Sequence, residues 1–390
     1  MRFAPLLTVL ALALSPSAEA GEPKVFWKGK ALKLDALPEK LSEPARDAAV
    51  RWAPFAEAHE LRMDFEAGGA LLVLGPDRGA DGYKRIQLVD RARKEFEKLV
   101  PAWEGPKSAP KEDAEEPEDE SENEEEEIPE DPAGDFPWLE DKPAKEKERF
   151  TTTTWGDMKY PPDEDCGVLF ALPGVDELHA LLDELVLKHS WMETWAKTAK
   201  KDAGFVVGAP LVAAFLLGAP DLEEWHPDNE LIHRASRLLL LRRYGPLPPW
   251  LKYGVAWNVE YAIQRTIRCY PNRKGFVFAV ESSGWEHELR QRFADYRNTP
   301  LEVASFANWP RGKWDYDRAR VAFGLVRFLG KHRKEGLGRF YRRLRQSWLE
   351  DNRVVLGGNT WERERDFEVP AEDQEKWMLK LLGEDTLLEA

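Results

Sequence analysis

The stretch Leu231–Trp257 reads LIHRASRLLLLRRYGPLPPWLKYGVAW, and its periodicity decides the fold of the surrounding chain. Its leucine-rich first half predicts a helix over Asp228–Tyr244, because apolar residues recur there at helical spacing. Glycine and proline end that helix in the turn Gly245–Pro249, and the last prolines of the turn open a second helix. The second helix is predicted to run from Trp250 to about Thr266. The stretch therefore predicts two helices joined by a short turn.

The segments around these helices predict an α+β fold. Strands and helices are mixed in the first part of the chain, and the last part reads as helices only, unlike the regular alternation of a doubly wound sheet. We expect a small twisted sheet that holds Val168–Leu172 and Phe205–Val207, packs on the helix Asp228–Tyr244 and is followed by a helical C-terminal half. The further predicted elements are a hairpin at Arg62–Gly75, helices at Lys84–Leu99, Val175–Lys200 and Arg318–Trp348, and strands at Cys166–Leu172, Gly204–Gly208 and Leu211–Leu217.

Composition divides the chain into five segments. The N-terminus has a basic residue, the apolar run Leu6–Leu14 and a small-x-small site at Ala18–Ala20, so we expect a signal peptide and export to the periplasm or the cell exterior. A later segment is acidic, proline-rich and almost without apolar residues, which predicts disorder. The segments are residues 1–20 (signal peptide), 21–104 (N-terminal strands and helix of the body), 105–150 (acidic disordered insertion), 151–350 (core) and 351–390 (C-terminal extension).

The net charge of −15 is concentrated in one part of the chain. Glu112–Asp131 holds fourteen acidic residues and no basic one, so the rest of the chain is close to neutral. A nearly neutral body lacks the basic field that attracts nucleic acid, and no apolar run is long enough for an integral membrane segment. We therefore expect an unknown protein or peptide ligand as the partner, and the oligomeric state stays open.

Cys166 and Cys269 are the two cysteines of the chain. In an oxidising compartment they could form a disulfide, but two separate buried thiols fit the sequence equally well. The chain has no C-x-x-C pair, so the sequence does not support a cysteine-based zinc or redox site.

The segment Pro248–Ala256 reads PPWLKYGVA. With the helix before it, this segment resembles the gluzincin-type zinc peptidase domain of secreted bacterial proteins, the peptidase-MA-like (DUF1570) family. That family carries H-E-x-x-H on the first helix, a Pro-Pro-Trp turn and W-L-x-E-G-x-A on the second, which this segment matches at every position except one. The resemblance covers roughly Arg62–Trp348 and implies a zincin-like body around a former active-site helix. Weaker matches are Val168–Ala171, Ala203–Phe205, Tyr316–Leu329 and Phe340–Leu344.

The chain departs from that family at the zinc-binding positions. His233 stands where the first zinc His is expected, but Arg234 replaces the general-base Glu and Arg237 replaces the second His. Tyr253 replaces the Glu that would be the third ligand. Arginine stays charged and has no lone pair to give, so it acts neither as a base nor as a ligand. The sequence therefore predicts no metal, no cofactor and no catalytic residue, and we expect Arg237 to pair with Glu260 or another carboxylate in place of the ion.

Three functions are compatible with the sequence. The favoured one is a pseudo-metallopeptidase: an exported, non-catalytic relative of a zinc peptidase that binds or scaffolds proteins through a peptide-type cleft. The second is an active hydrolase with an unrecognised site, for which the sequence shows no nucleophile–base pair. A metal site elsewhere would have to use His226, Glu230 and His233, which form one crowded group, although the proline after His226 places that histidine at or outside the helix cap. The third is a glycan or cell-surface binder that uses exposed tryptophans such as Trp191 and Trp195.

Overall fold

The computed structural model describes residues 24–77, 80–102, 165–208, 210–219, 225–269, 281–294, 307, 315–351 and 369–382. The predicted signal peptide and acidic insertion lie outside the described residues. The strands are β1 (Val25–Trp27), β2 (Lys30–Leu32), β3 (Leu61–Phe65), β4 (Leu71–Pro76), β5 (Gly167–Leu172), β6 (Gly204–Val207) and β7 (Val212–Leu216). The helices are α1 (Glu43–Ala58), α2 (Ala80–Leu99), α3 (Val175–Lys188), α4 (Glu193–Ala199), α5 (Pro227–Tyr244), α6 (Pro249–Gln264), α7 (Trp285–Ala294), α8 (Tyr316–His332), α9 (Lys334–Asp351) and α10 (Ala371–Leu382). None of the helices in this part of the chain has both the length and the apolar character of a membrane span.

The fold is α+β, as the sequence predicts, and its centre is one mixed sheet of seven strands. The strand order is β2-β1-β3-β4-β5-β7-β6. The pairs β1–β3, β4–β5 and β5–β7 are parallel, and the other three pairs are antiparallel. The sheet is larger than the sequence predicts, because the hairpin β3–β4 pairs directly with β5, and β1 and β2 extend the same sheet.

Helices cover both faces of this sheet. Every residue of β4, β5 and β7 is buried, which is typical of strands that are covered on two sides. Successive side chains point to opposite faces. Leu72 and Phe170 pack with α1, α3 and α4, whereas Val73 and Leu169 pack with α2, α5, α6 and α8. The two helices of the stretch Leu231–Trp257 therefore lie together on the second face.

The helix predicted over Val175–Lys200 is broken in the structure. His189 leaves helical geometry (φ −138°, ψ 80°), and a short 3-10 turn separates α3 from α4. The break brings Trp195 edge-on against Phe205 of β6, with ring centroids 5.0 Å apart. The prediction of one continuous helix was wrong here because burial of the Trp195 ring against the sheet outweighs local helix propensity.

The helix predicted over Arg318–Trp348 also divides. Arg333 (φ −134°, ψ 37°) ends α8, and α9 begins at the next residue. After the bend, α9 buries Phe340 and Tyr341. The ring of Tyr341 lies 4.7 Å from that of Tyr244 at the end of α5, so α9 joins the core that surrounds α5 and α6.

Candidate functional site

Helices α5 and α6 begin and end at residues that favour helix boundaries. Pro227 and Pro249 occupy the first turns of α5 and α6, where the missing backbone N–H has no helical partner to lose. Gly245 ends α5 with φ 72°, a conformation that glycine adopts without a steric penalty. Arg265 ends α6 in the same left-handed region, with φ 61°, although it carries a side chain. The chain after α6 therefore reverses its direction sharply.

The two helices pack antiparallel, as predicted. Arg237 in the second half of α5 contacts Tyr253 near the start of α6, and Asn229 near the start of α5 contacts Glu260 near the end of α6. His233 lies between these levels and is 4 % exposed. Its ring centroid is 6.1 Å from that of Tyr253, and its Nδ1 is 3.3 Å from Glu260 Oε2. Four of the five sequence-predicted site residues therefore lie side by side.

The fifth residue, Arg234, lies against the sheet. Its Nη2 is 2.8 Å from Oε2 of Glu230, one turn earlier on α5. A Cβ atom on Gly204 of β6 would stand 2.9 Å from the same nitrogen and 2.3 Å from the backbone oxygen of Ala214. Glycine at position 204 thus leaves room for the guanidinium beside β6. Arg234 has the sequence position of the general base, but the structure pairs it with Glu230.

Arg237, Tyr253 and Trp257 form a stack across α5 and α6. The guanidinium carbon of Arg237 lies 4.9 Å from the ring centroid of Tyr253. Tyr253 in turn stacks on Trp257, with centroids 5.7 Å apart and planes inclined by 27°. A cation over an aromatic face at this distance contributes about 0.5–2 kcal/mol, depending on its desolvation. The stack thus gives the half-buried guanidinium of Arg237 a stabilising aromatic partner.

Glu260 is fully buried and contacts polar groups of α5 and of the segment after α6. Its Oε1 accepts from Asn229 Nδ2 and from the backbone N–H of Arg268, both at 2.6 Å, and its Oε2 faces His233. The partners of Glu260 on α5 are therefore His233 and Asn229. They lie one and two turns before Arg237, which was expected to pair with Glu260. The seven residues from Tyr253 to Glu260 advance about 10 Å along the helix, so an arginine that covers Tyr253 stands at a different level.

Cys269 is the site residue that the sequence did not reveal. One donor atom from each of His233, Glu260 and Cys269 lies within 4.8 Å of the other two, and all three residues are buried. Cys269 follows α6 by only a few residues, but its approach depends on the reversal at Arg265. The sequence does contain one indication of a site here. Asn229 is a polar residue one turn before His233 on the same helical face, and this pattern indicates a buried hydrogen-bond network.

The crowded group of His226, Glu230 and His233 is not assembled as a metal-ligand set. Glu230 binds Arg234, and His226 stands at the N-cap of α5 without a side-chain capping bond. Burial lowers the pKa of His226, and the charges of Arg268 and Lys84 lower it further, while Asp228 acts in the opposite direction. Within the described residues, the group with converging metal donors is His233, Glu260 and Cys269.

The remaining sequence alternatives gain little support. Both cysteines are free thiols in the structure, and burial raises the pKa of Cys166 to about 12, so this thiol stays protonated at neutral pH. Trp191 is half-buried and Trp195 is buried, and none of the tryptophans with a described side chain is exposed. The structure therefore offers no exposed tryptophan platform for sugars in the part of the chain that it describes.

Comparison with known proteins does not assign a family or a function to this chain. No family model, no curated protein and no solved structure matches the chain. The function is therefore argued from the residues of the site itself.

Proposed function

We propose that this protein is an exported, non-catalytic relative of a zinc metallopeptidase, a pseudo-metallopeptidase that binds or scaffolds a protein or peptide. One observation carries the proposal. The three positions that match zinc ligands in the resembled family, His233, Arg237 and Tyr253, lie together across two antiparallel helices, with the distances of 6.1 Å and 4.9 Å given above. This placement is the one expected if the two helices correspond to the paired zinc helices of the resembled family.

Two of the zinc ligands and the general base that peptide hydrolysis would need are missing at this position. Zinc-dependent peptide cleavage needs three ligands that hold the ion and a base that takes a proton from the bound water. Arg237 and Arg234 stand at the second-ligand and base positions, and each is a permanent cation without a lone pair. Both guanidiniums have found other partners, Tyr253 and Glu230. We therefore expect this position to lack zinc-peptidase activity.

The sheet edge beside α5 supports a peptide-binding role. Strand β6 stands at the end of the strand order, and Arg234 of α5 lies against it at Gly204. An extended peptide can add to an edge strand through main-chain hydrogen bonds, with nearby side chains setting its selectivity.

Cleavage of a mixed peptide library tests the proposal directly. The secreted chain is incubated with the library and Zn²⁺, with and without a chelator, and products are read by mass spectrometry. We expect no chelator-sensitive cleavage above that of the matched variant His233→Gln. Chelator-sensitive products that disappear in His233→Gln would contradict the proposal, because His233 would then serve a working metal site.

A further inference from the structure

A second set of donors surrounds His233, distinct from the positions that the resemblance implies. His233 lies on α5, Glu260 on α6 and Cys269 in the segment that follows α6. One nitrogen, one carboxylate oxygen and one sulfur from these residues lie within 4.8 Å of one another. The three residues are 4 %, 0 % and 4 % exposed. From this convergence we infer that the protein binds one Zn²⁺ ion through His233, Glu260 and Cys269.

The segment that carries Cys269 is held in place by hydrogen bonds that do not involve a metal. The carbonyl oxygen of Cys269 accepts from Trp257 Nε1 at 2.6 Å, and that of Thr266 accepts from Asn229 at 3.2 Å. The N–H of Ile267 donates to Ser282 Oγ at 3.1 Å. These bonds tie the segment to α5, to α6 and to the turn before α7. The sulfur is thus delivered to the other two donors by a preorganised backbone.

The carboxylate is oriented in the same way. Oε1 of Glu260 is occupied by the two 2.6 Å bonds from Asn229 and from the backbone of Arg268, whereas Oε2 has the longer 3.3 Å contact with His233 Nδ1. Hydrogen bonds of this kind on one oxygen hold the other in position, as outer partners do for carboxylate ligands of metals. Asn229 is therefore a positioning residue for the site.

The distances fit an ion better than they fit a thiol hydrolase. In a nucleophile–histidine–carboxylate relay, the two ring nitrogens each make a bond of about 2.6–3.2 Å, so the imidazole separates sulfur from carboxylate. Here the sulfur lies within 4.8 Å of a carboxylate oxygen and of one nitrogen of His233, which makes a triangle. Nitrogen and oxygen ligands on tetrahedral zinc, with bonds of about 2.0–2.1 Å, stand roughly 3.3–3.4 Å apart. The 3.3 Å between His233 Nδ1 and Glu260 Oε2 is compatible with two ligands of one ion and is also within hydrogen-bond range, so the triangle of donors is what distinguishes an ion site from a relay.

Charge and donor chemistry select the ion. A thiolate, a carboxylate and a neutral imidazole together carry two negative charges, which a divalent cation neutralises in a buried site. A thiolate ligand disfavours Mg²⁺ and Ca²⁺, which prefer oxygen, whereas Zn²⁺ accepts all three donors. Arg237 lies one turn from His233 and opposes a cation, but its guanidinium is directed at Tyr253. Three protein donors leave the fourth position of a tetrahedral zinc ion for a water molecule, and the burial of the donors limits access to that position.

Metal titration of the full secreted chain tests this inference. After treatment with a chelator and dialysis, the protein is titrated with Zn²⁺ by calorimetry and with Co²⁺ by absorption spectroscopy. We expect one equivalent of either ion and, for Co²⁺, the thiolate-to-cobalt charge-transfer band in the near ultraviolet. Cys269→Ser should lose the band and bind Zn²⁺ at least about 100-fold more weakly, since even outer partners of a metal contribute 10–100-fold. Cys166→Ser, the matched control at the other cysteine, should behave like the wild type.

Two further variants keep the test decisive. Glu260→Gln should weaken zinc binding, and Asn229→Ala should weaken it less, while circular dichroism reports whether each variant is folded. A folded wild type that binds no zinc, or a Cys269→Ser variant that keeps both stoichiometry and affinity, would overturn the inference. The titration does not measure peptide cleavage. If no zinc binds, the proposed non-catalytic function is unaffected. If the peptide library is cleaved, the result of the zinc titration is unaffected.

Discussion

At the scale of single residues, Glu260 links two helices and the segment after them. Its side chain accepts from Asn229 on α5 and from the Arg268 N–H, and it faces His233. Each buried donor that loses its acceptor costs about 1–3 kcal/mol, which exceeds the net contribution of an average hydrogen bond. We therefore expect Glu260 to contribute strongly to stability, although its position does not belong to the sequence motif of the resembled family.

We expect Glu260→Ala to lower the free energy of unfolding by about 3–5 kcal/mol in chelator, because it removes the acceptor of several buried donors. Urea denaturation followed by tryptophan fluorescence measures the change. Glu184→Ala is the matched control: Glu184 forms a surface pair with Lys188 at 2.8 Å, and its loss should cost under about 1 kcal/mol. Equal effects of the two substitutions would show that the buried network has no special weight.

At the scale of helices, the N-terminus of α5 lacks a side-chain cap. His226 holds the N-cap position with extended dihedral angles (φ −134°, ψ 108°) and without a capping hydrogen bond. Its folded-state pKa lies below the ordinary value of 6.5, with Arg268 and Lys84 adding to the effect of burial and Asp228 opposing it. The unfolded chain therefore takes up a proton more readily than the folded one. Stability from this residue is present above pH 6.5 and is lost as the pH falls toward the folded pKa.

His226→Ser should stabilise the protein by about 0.5–1 kcal/mol near neutral pH, because serine can accept a hydrogen bond from the first turn of the helix. The gain should be larger at about pH 5 than at about pH 8, since the substitution also removes a group that protonates in this range. Urea midpoints of wild type and variant at both pH values measure it. A gain that shrinks on acidification would refute the assigned direction of the His226 pKa.

The contact between α6 and α8 depends on Gly254. A Cβ atom there would stand 2.7 Å from Val326 Cγ2 and 2.8 Å from the backbone oxygen of Ala322. We expect Gly254→Ala to destabilise the fold by about 1–3 kcal/mol, despite the better helix propensity of alanine. Gly218→Ala is the matched control, since an added Cβ there meets nothing within 4 Å. If thermal unfolding shows the two substitutions to be equivalent, α6 and α8 are not this close.

The elements that the sequence predicted well are those with local signals. The hairpin β3–β4 and the helices α5 and α6 follow from periodicity and from proline and glycine at their ends. The helix breaks at His189 and Arg333 and the reversal at Arg265 carry no such residue, because tertiary packing sets them. The approach of Cys269 to His233 depends on that reversal, so spacing rules for metal ligands could not reveal it.

At the scale of the whole molecule, described residues on either side of the acidic insertion contact the end of α5. The carbonyl oxygen of Pro101, before the insertion, accepts from Arg243 and from the Tyr244 hydroxyl, both at 3.1 Å. The carbonyl oxygen of Asp165, after it, accepts from Arg242. Three consecutive residues thus hold the two chain ends close together. The insertion itself lies outside the described residues.

Deletion of residues 106–145 should leave the melting temperature of the body nearly unchanged. The anchored ends remain, and the cost of closing a flexible loop changes by only about 0.6 kcal/mol for each twofold change in its length. Differential scanning calorimetry of the full and shortened chains measures the effect. A fall of many degrees would mean that the acidic segment packs against the body, contrary to its composition.

The central claim is that His233, Glu260 and Cys269 bind one zinc ion. X-ray absorption at the zinc edge of the zinc-loaded chain tests this claim most directly, because it separates sulfur from nitrogen and oxygen neighbours. We predict one sulfur at about 2.3 Å together with nitrogen and oxygen ligands at about 2.0–2.1 Å. A first shell of nitrogen and oxygen only, or a chain that retains no zinc, would contradict it.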